Sequence, residues 1–159
     1  MRKCMVLGAL ALIAAGGLAQ PHREINLRDG WRFSRDGQQW ENVTVPHDWA
    51  ITGPFDKKWD LQVVAIEQNG EKEKSEKSGR SGALPWIGEG SYRMTLSVPQ
   101  GYRHATLVFD GAMAEPTVFI NGQQAGYWAY GYNAFRIDAT PYLKWDGAEN
   151  TVEVPLKNV

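Results

Sequence analysis

The chain is poor in cysteine and carries no excess of charge of either sign. Cys4 is the one cysteine among 159 residues, and 17 basic residues are balanced by 18 acidic ones, for a formal net charge of −1. No intramolecular disulfide is therefore available, and a packed core must stabilise the fold. Nucleic-acid binding needs a cationic surface that releases counterions. The balanced charge argues against nucleic acid as a partner.

Long hydrophobic runs are also absent, except for one near the amino terminus. There Arg2 and Lys3 precede an apolar run that begins at Met5 and ends in small residues. The run is too short to span a bilayer, and this order of features is typical of a secretory signal peptide. We expect residues 1–19 to be cleaved, and the mature chain to be periplasmic or extracellular with no membrane contact. The remainder, 20–159, suffices for one domain with a substantial core.

Short alternating segments dominate the mature chain. SYRMTLSV, HATLVFDG and TVEVPLKNV place apolar residues at every second position, the period of a strand with one buried face. TVFING adds a strand ending at Asn121-Gly122, a dipeptide that favours a type I′ hairpin turn. WRF and NVTVP predict two shorter strands, and a single helical turn is expected after Pro141. No segment keeps a helical apolar period over three turns, so the sequence predicts an all-β jelly-roll sandwich.

Two features depart from this pattern. Between Asp56 and Gly90 the alternation weakens, and the part EQNGEKEKSEKSGRSG has four acidic, four basic and almost no apolar residues. This composition predicts a long solvated loop, which in a compact domain is either functional or a mobile surface segment. Pro155 lies in the last predicted strand, where its missing N–H predicts an edge position.

Residue types that can act in catalysis are present, but their spacing in the sequence identifies no catalytic site. The three histidines, His22, His47 and His104, are scattered without zinc-site spacing, and we expect neither a metal nor another cofactor. His47-Asp48 allows a catalytic-triad interpretation, but no serine lies in a nucleophile-elbow context, so a structural turn is favoured. A glycosidase needs two carboxylates at a set separation. Eighteen acidic residues offer many pairs and single out none.

Aromatic residues are abundant, with seven Trp and six Tyr. Rings with a polar edge suit the faces and hydroxyls of a sugar, but they also fill protein cores. Trp31, Trp40 and Tyr92 lie in or beside strands and are predicted to be core residues. Trp59 and Trp86 flank the charged segment, where both roles stay open.

Five stretches occur in a characteristic order. They are LRDGWRFS, VPHDWAITGPF, GALPWIGEGSYRMTLSVP, LVFDGAMAEPTVFINGQQAGYWAYGYNAFRIDATPYL and ENTVEVPL. Together they resemble the amino-terminal sugar-binding domain of glycoside hydrolase family 2, the family of β-galactosidases, β-glucuronidases and β-mannosidases. PHDW and PWIGEGSYR are most similar to the β-galactosidase branch. The resemblance implies a galactose-binding-like jelly roll in an enzyme that hydrolyses O-glycosyl bonds of β-linked carbohydrates.

The resemblance also implies which parts are missing. Family members carry the catalytic glutamates on a barrel domain further along the chain, and no residue here matches either glutamate motif. We therefore expect a non-catalytic fragment whose partners are a β-linked carbohydrate and the missing catalytic domain. The alternative is a freestanding carbohydrate-binding module or a protein-interaction β-sandwich.

Candidate contact residues follow from the same resemblance. In the family a polar side chain from the segment after the PHDW turn reaches the sugar, and here Asp60, beside Trp59, occupies that segment. Gly126 and Gly131 would permit tight turns of an aromatic loop. The loop's rings would pack in the sandwich or against a neighbouring domain, and Trp128 or Tyr130 could instead stack on the sugar.

Overall fold

The computed structural model describes residues 22–56, 61–68, 71–79, 86 and 88–157. In these ranges the secondary structure consists of ten β-strands and two short 3-10 turns, Trp49–Thr52 and Thr140–Tyr142. The strands are β1 Trp31–Ser34, β2 Glu41–Val43, β3 Leu61–Gln68, β4 Glu71–Gly79, β5 Glu89–Ser97, β6 Thr106–Phe109, β7 Thr117–Ile120, β8 Gln123–Tyr127, β9 Phe135–Asp138 and β10 Glu149–Lys157. Over the same residues, no helix is long and apolar enough to cross a membrane.

Two sheets enclose the hydrophobic core. Six strands form an antiparallel sheet in the order β2-β1-β5-β10-β7-β8, and β6 pairs with β9 in a second sheet. The core takes residues from both sheets, together with Ala139 just after β9. Its buried members are Trp31, Met94, Val118, Ile120, Phe135, Ile137, Ala139, Val152 and Val154. The predicted all-β jelly-roll sandwich is confirmed.

The predicted alternation decides which face of each strand is buried. Val118 and Ile120 of β7 are fully buried, and Val152 and Val154 face the same core from β10. Asn121 and Gly122 have φ angles of 52° and 79°, as a type I′ turn between β7 and β8 requires. The strand assignments and this turn are therefore confirmed.

A buried amide network ties the β7–β8 turn to the start of β10. The Asn150 side chain is fully buried, and its oxygen accepts hydrogen bonds from Asn121 Nδ2 at 2.8 Å and Lys144 N at 2.7 Å. Its Nδ2 donates to the carbonyl oxygens of Lys144 at 2.9 Å and Ala148 at 3.1 Å. The amide thus uses all four of its hydrogen-bonding positions.

Pro155 does not lie on an edge strand, so that prediction is wrong. β10 lies between β5 and β7, and Pro155 pairs with Ser91 of β5. The β7 ladder reaches β10 at Val152 and Glu153, and beyond it Lys157 exchanges two backbone hydrogen bonds with Ala114. Backbone donors alternate sides along a strand, so the missing Pro155 N–H falls between these two attachments, where the sheet tolerates its loss.

The charged segment is not a featureless loop. β3 and β4 pair antiparallel in their own two-stranded sheet, with Gln68 opposite Glu71 and a register shift between Gln62 and Val64. The prediction of a loop is therefore wrong for residues 61–68 and 71–79. The β-branched run in LQVVAIEQ and the Asn-Gly dipeptide after it in the sequence are ordinary hairpin signals.

Candidate functional site

An aromatic cluster lies where the chain enters and leaves the segment that bears the β3–β4 hairpin. We name it the Trp49 cluster; its members are Phe33, His47, Trp49, Trp86 and Tyr92. The Phe33 ring lies 5.0 Å from Trp49 and 4.9 Å from Tyr92, and Trp86 meets Trp49 edge to face at 5.3 Å and 80°. Phe33 and Trp49 are buried. These residues come from separate parts of the sequence, so the fold alone brings them together.

Gly90 makes room for this cluster. A Cβ atom built there would lie 1.7 Å from Trp49 Cζ3 and 2.7 Å from Phe33 Cε2. No flexible side-chain tip could relieve such an overlap, because both atoms belong to packed rings. Glycine is therefore required at this point of β5.

His47 and Asp48 form a structural turn. Asp48 caps the 3-10 turn by accepting a hydrogen bond from Ala50 N at 2.9 Å, and His47 Nδ1 lies 2.8 Å from the Tyr92 hydroxyl oxygen. Burial raises the pKa of Tyr92, and the carboxylates of Asp48 and Glu41 raise it further. The hydroxyl stays protonated and donates to the His47 carbonyl at 3.3 Å. Both side chains of the suspected triad are thus used to hold the turn.

Arg35 joins this cluster from the turn after β1, and sequence reasoning missed it. Its Nη2 donates to the Trp49 carbonyl at 3.1 Å and to Thr52 Oγ1 at 3.0 Å. Its guanidinium carbon lies 5.3 Å from the centroid of the Trp86 ring, within cation–π range. No local sequence pattern indicates these contacts of Arg35, because each partner is distant in sequence.

The surface beside the cluster is apolar and accessible. Trp86 is half-buried, while Ile51 and Phe55, in and just after the 3-10 turn, are 69% and 60% exposed. An accessible apolar surface of this kind suits the apolar face of a sugar.

Trp128 and Tyr130 lie in a second group of rings. Phe109 stacks on Phe135 at 4.6 Å, Phe135 stacks on Trp128 at 5.7 Å, and Tyr130 meets Trp128 edge to face at 6.5 Å. One face of the Trp128 indole is therefore covered by the core. Tyr130 and its neighbour Tyr132 are 67% and 88% exposed.

The two glycines that bracket this loop serve close packing. Gly126 lies within β8, so the expected tight turn is wrong there, whereas Gly131 lies in a bend. Neither glycine has a positive φ. A Cβ at Gly126 would lie 2.2 Å from Ile137 Cδ1, and one at Gly131 would lie 2.8 Å from Met113 Cγ. Both positions lack space for a side chain.

The structure decides the position of some of the remaining candidate residues. Trp59 and Asp60 lie outside the described residues, so of the residues proposed near the charged segment only Trp86 is placed. Trp31 is a core residue as predicted, and Tyr92 packs half-buried against the core. Trp40 is not in the core. It lies over the Arg93 guanidinium at 4.4 Å, where Arg93 also pairs with Glu153 at 2.8 Å.

Asp36 and Asp138 each accept hydrogen bonds within a local turn. Hydrogen bonds from the Gln39 and Gln38 backbone and from Ser34 lower the pKa of Asp36, and hydrogen bonds from Thr140 lower that of Asp138. Within the described ranges no group of three metal-ligating side chains occurs.

Comparison with known proteins relates this domain to large hydrolases. No protein-family model matches the sequence. The chain is 34% identical over 162 residues to the β-galactosidase BoGH2A of Bacteroides ovatus, an alignment that covers 94% of the chain. It spans between 12% and 17% of the length of the curated relatives it matches.

Solved structures show the same relation. A glycosyl hydrolase family 2 member from Bacteroides cellulosilyticus matches with a TM-score of 0.65 and 27% identity, over 87% of this chain and 18% of that one. Bacteroides uniformis β-glucuronidase matches with a TM-score of 0.58 and 25% identity, over 84% of this chain and 14% of that one. In fold and in sequence, the chain belongs to glycoside hydrolase family 2 and corresponds to the amino-terminal β-sandwich domain of that family.

Proposed function

We propose that this chain is the non-catalytic carbohydrate-binding domain of an exported, β-galactosidase-like family 2 glycosidase, here without its catalytic domain. The observation that carries the proposal is the domain-sized match, which covers 94% of the chain but 17% of a curated β-galactosidase. The catalytic carboxylates then lie outside these 159 residues, and the domain contributes to binding the β-linked sugar.

The lowered pKa values of Asp36 and Asp138 fit a structural role for these two carboxyl groups. A glycosidase keeps one carboxylic acid protonated near neutral pH by raising its pKa. Asp36 and Asp138 have a lowered pKa because they accept hydrogen bonds in local turns. Such groups stay ionised and are suited to holding loops rather than to donating a proton.

The sugar would bind beside the Trp49 cluster. Trp86 and Phe55 supply apolar surface there. Trp59 and Asp60 belong to the segment that starts at this surface, and in the proposal the Asp60 carboxylate accepts hydrogen bonds from sugar hydroxyls. Charge-assisted bonds of this kind contribute about 1.5–3 kcal/mol each.

The exposed aromatic loop supports a second contact, with the catalytic domain. Tyr130 and Tyr132 are largely exposed, and Met113 beside Gly131 is 42% exposed. An apolar patch of this kind marks an interaction surface. It is also the observation that favours the alternative, a β-sandwich that binds another protein and has no sugar affinity.

The test is to purify residues 20–159 and measure turnover and binding on the same preparation. We expect no hydrolysis of aryl β-galactoside, β-glucuronide or β-mannoside, and quenching of tryptophan fluorescence by methyl β-galactoside that Trp86→Ala abolishes. Turnover that survives repurification would contradict the non-catalytic role. Absence of binding to every glycoside would favour the protein-interaction alternative.

Export is tested separately. Expressing the 159-residue chain in a Gram-negative host should yield a periplasmic protein whose first residue is Gln20. An uncleaved cytoplasmic product would contradict the proposed export.

A further inference from the structure

We propose that Arg35 is a positioning residue that joins the two ends of the hairpin-bearing segment at the Trp49 cluster and thereby holds that segment for sugar binding. The link to sugar binding rests on the proposed function. The joining of the two ends rests on the geometry alone.

The entry end of the segment is held by two hydrogen bonds from one nitrogen. Arg35 Nη2 donates to the Trp49 carbonyl at 3.1 Å and to Thr52 Oγ1 at 3.0 Å. Thr52 Oγ1 also lies 3.0 Å from the same carbonyl, and Gly53 N donates to Ala50 O to close the 3-10 turn. The backbone that leads into the segment is therefore fixed where it leaves the sandwich.

The exit end is held by the same guanidinium through its flat face. The Trp86 ring lies 5.3 Å from the Arg35 guanidinium carbon, and it also meets buried Trp49 edge to face. Gly88 leaves room for this ring, because a Cβ there would lie 2.5 Å from Trp86 Cζ2. One side chain thus contacts both the residues before β3 and the residue where the chain returns after β4.

A guanidinium suits this task better than an ammonium group. Its plane stacks on an aromatic face while its edge donates hydrogen bonds, so one residue can serve both ends at once. Holding the ends together also lowers the conformational freedom of everything between them, since a closed loop has fewer accessible states than an open one. β3 and β4 lie in that interval.

The experiment compares backbone amide exchange in the full chain and in three variants. Arg35→Met keeps the apolar stem but loses the charge and both donors, and Arg35→Lys keeps the charge without the plane. Arg136→Met, on the exposed side of β9, is the matched control.

We expect exchange in residues 61–68 and 71–79 to rise about tenfold in Arg35→Met, as loss of two charge-assisted hydrogen bonds allows. The rise should be smaller in Arg35→Lys and absent in Arg136→Met, with β5 and β10 unchanged in all three. Hairpin exchange equal to wild type in Arg35→Met would overturn the proposal. If Arg35→Met fails to fold, Arg35→Lys is used instead, and hairpin exchange equal to wild type in that variant would overturn the proposal.

Titration with methyl β-galactoside separates this proposal from the proposed function. A tenfold weaker Kd in Arg35→Met together with faster hairpin exchange supports the positioning role. Faster exchange with unchanged Kd would overturn that role. If wild type binds no glycoside, the proposed function fails, whereas the exchange data still decide whether Arg35 joins the two ends.

Discussion

Replacing Asn150 by alanine should cost a large share of the domain's stability. The fully buried amide makes four hydrogen bonds, two accepted from Asn121 and Lys144 and two donated to the carbonyls of Lys144 and Ala148. At about 1 kcal/mol of net stabilisation for each bond, the loss is about 4 kcal/mol. Small domains have about 5–15 kcal/mol in total, so the variant should be close to its stability limit.

Urea unfolding followed by tryptophan fluorescence measures this loss. The midpoint should fall without a change in m, and Tm should drop by about 12 °C, at about 3 °C for each kcal/mol. Asn150→Asp should lose at least as much at neutral pH, because a carboxylate would face the carbonyls of Lys144 and Ala148. Exposed Asn133→Ala is the control. A loss below about 1 kcal/mol in Asn150→Ala would refute the assumption that the network stabilises the fold.

Three further predictions follow from single positions. Gly90→Ala should disrupt the Trp49 packing and destabilise by about 3 kcal/mol or more, as core overpacking does. Gly111→Ala, whose Cβ would lie 3.3 Å from Gly131 O, should destabilise much less. Tyr132→Ser should reduce binding of a hydrophobic dye without changing Tm, because the ring is 88% exposed. Because folding lowers the pKa of Asp138, its stabilisation exists above the ordinary value of 3.8 and disappears as pH falls through the lower folded pKa. Asp138→Asn should remove that part of the acid dependence.

The sequence predicts which face of a strand is buried better than it predicts which residues meet across the fold. Alternation in β7 and β10 named the buried residues correctly, because a strand's period of two is local information. Asn121-Gly122 likewise predicted its own turn, since the required positive φ angles belong to those two residues. Family resemblance extended these local signals to the fold.

Contacts between residues distant in sequence could not be predicted from local sequence patterns. Arg35 reaches Trp49 and Trp86 across 14 and more positions, and nothing in its neighbours indicates this. Trp40 lies beside a predicted strand, which favours a core position, but Arg93 on the exposed face of the sheet offers an alternative partner. The missing N–H of Pro155 predicts an edge strand. The short reach of β7 along β10, which lets an interior strand tolerate this proline, cannot be deduced from either strand alone.

The central claim is that this domain binds a β-linked sugar and does not hydrolyse it. Proton NMR of methyl β-galactoside incubated with residues 20–159 reports both properties in one sample, through saturation transfer to the sugar and through signals of released galactose. We expect saturation transfer that Trp86→Ala removes, with no released galactose after prolonged incubation. Released galactose, or the absence of saturation transfer in wild type, would contradict it.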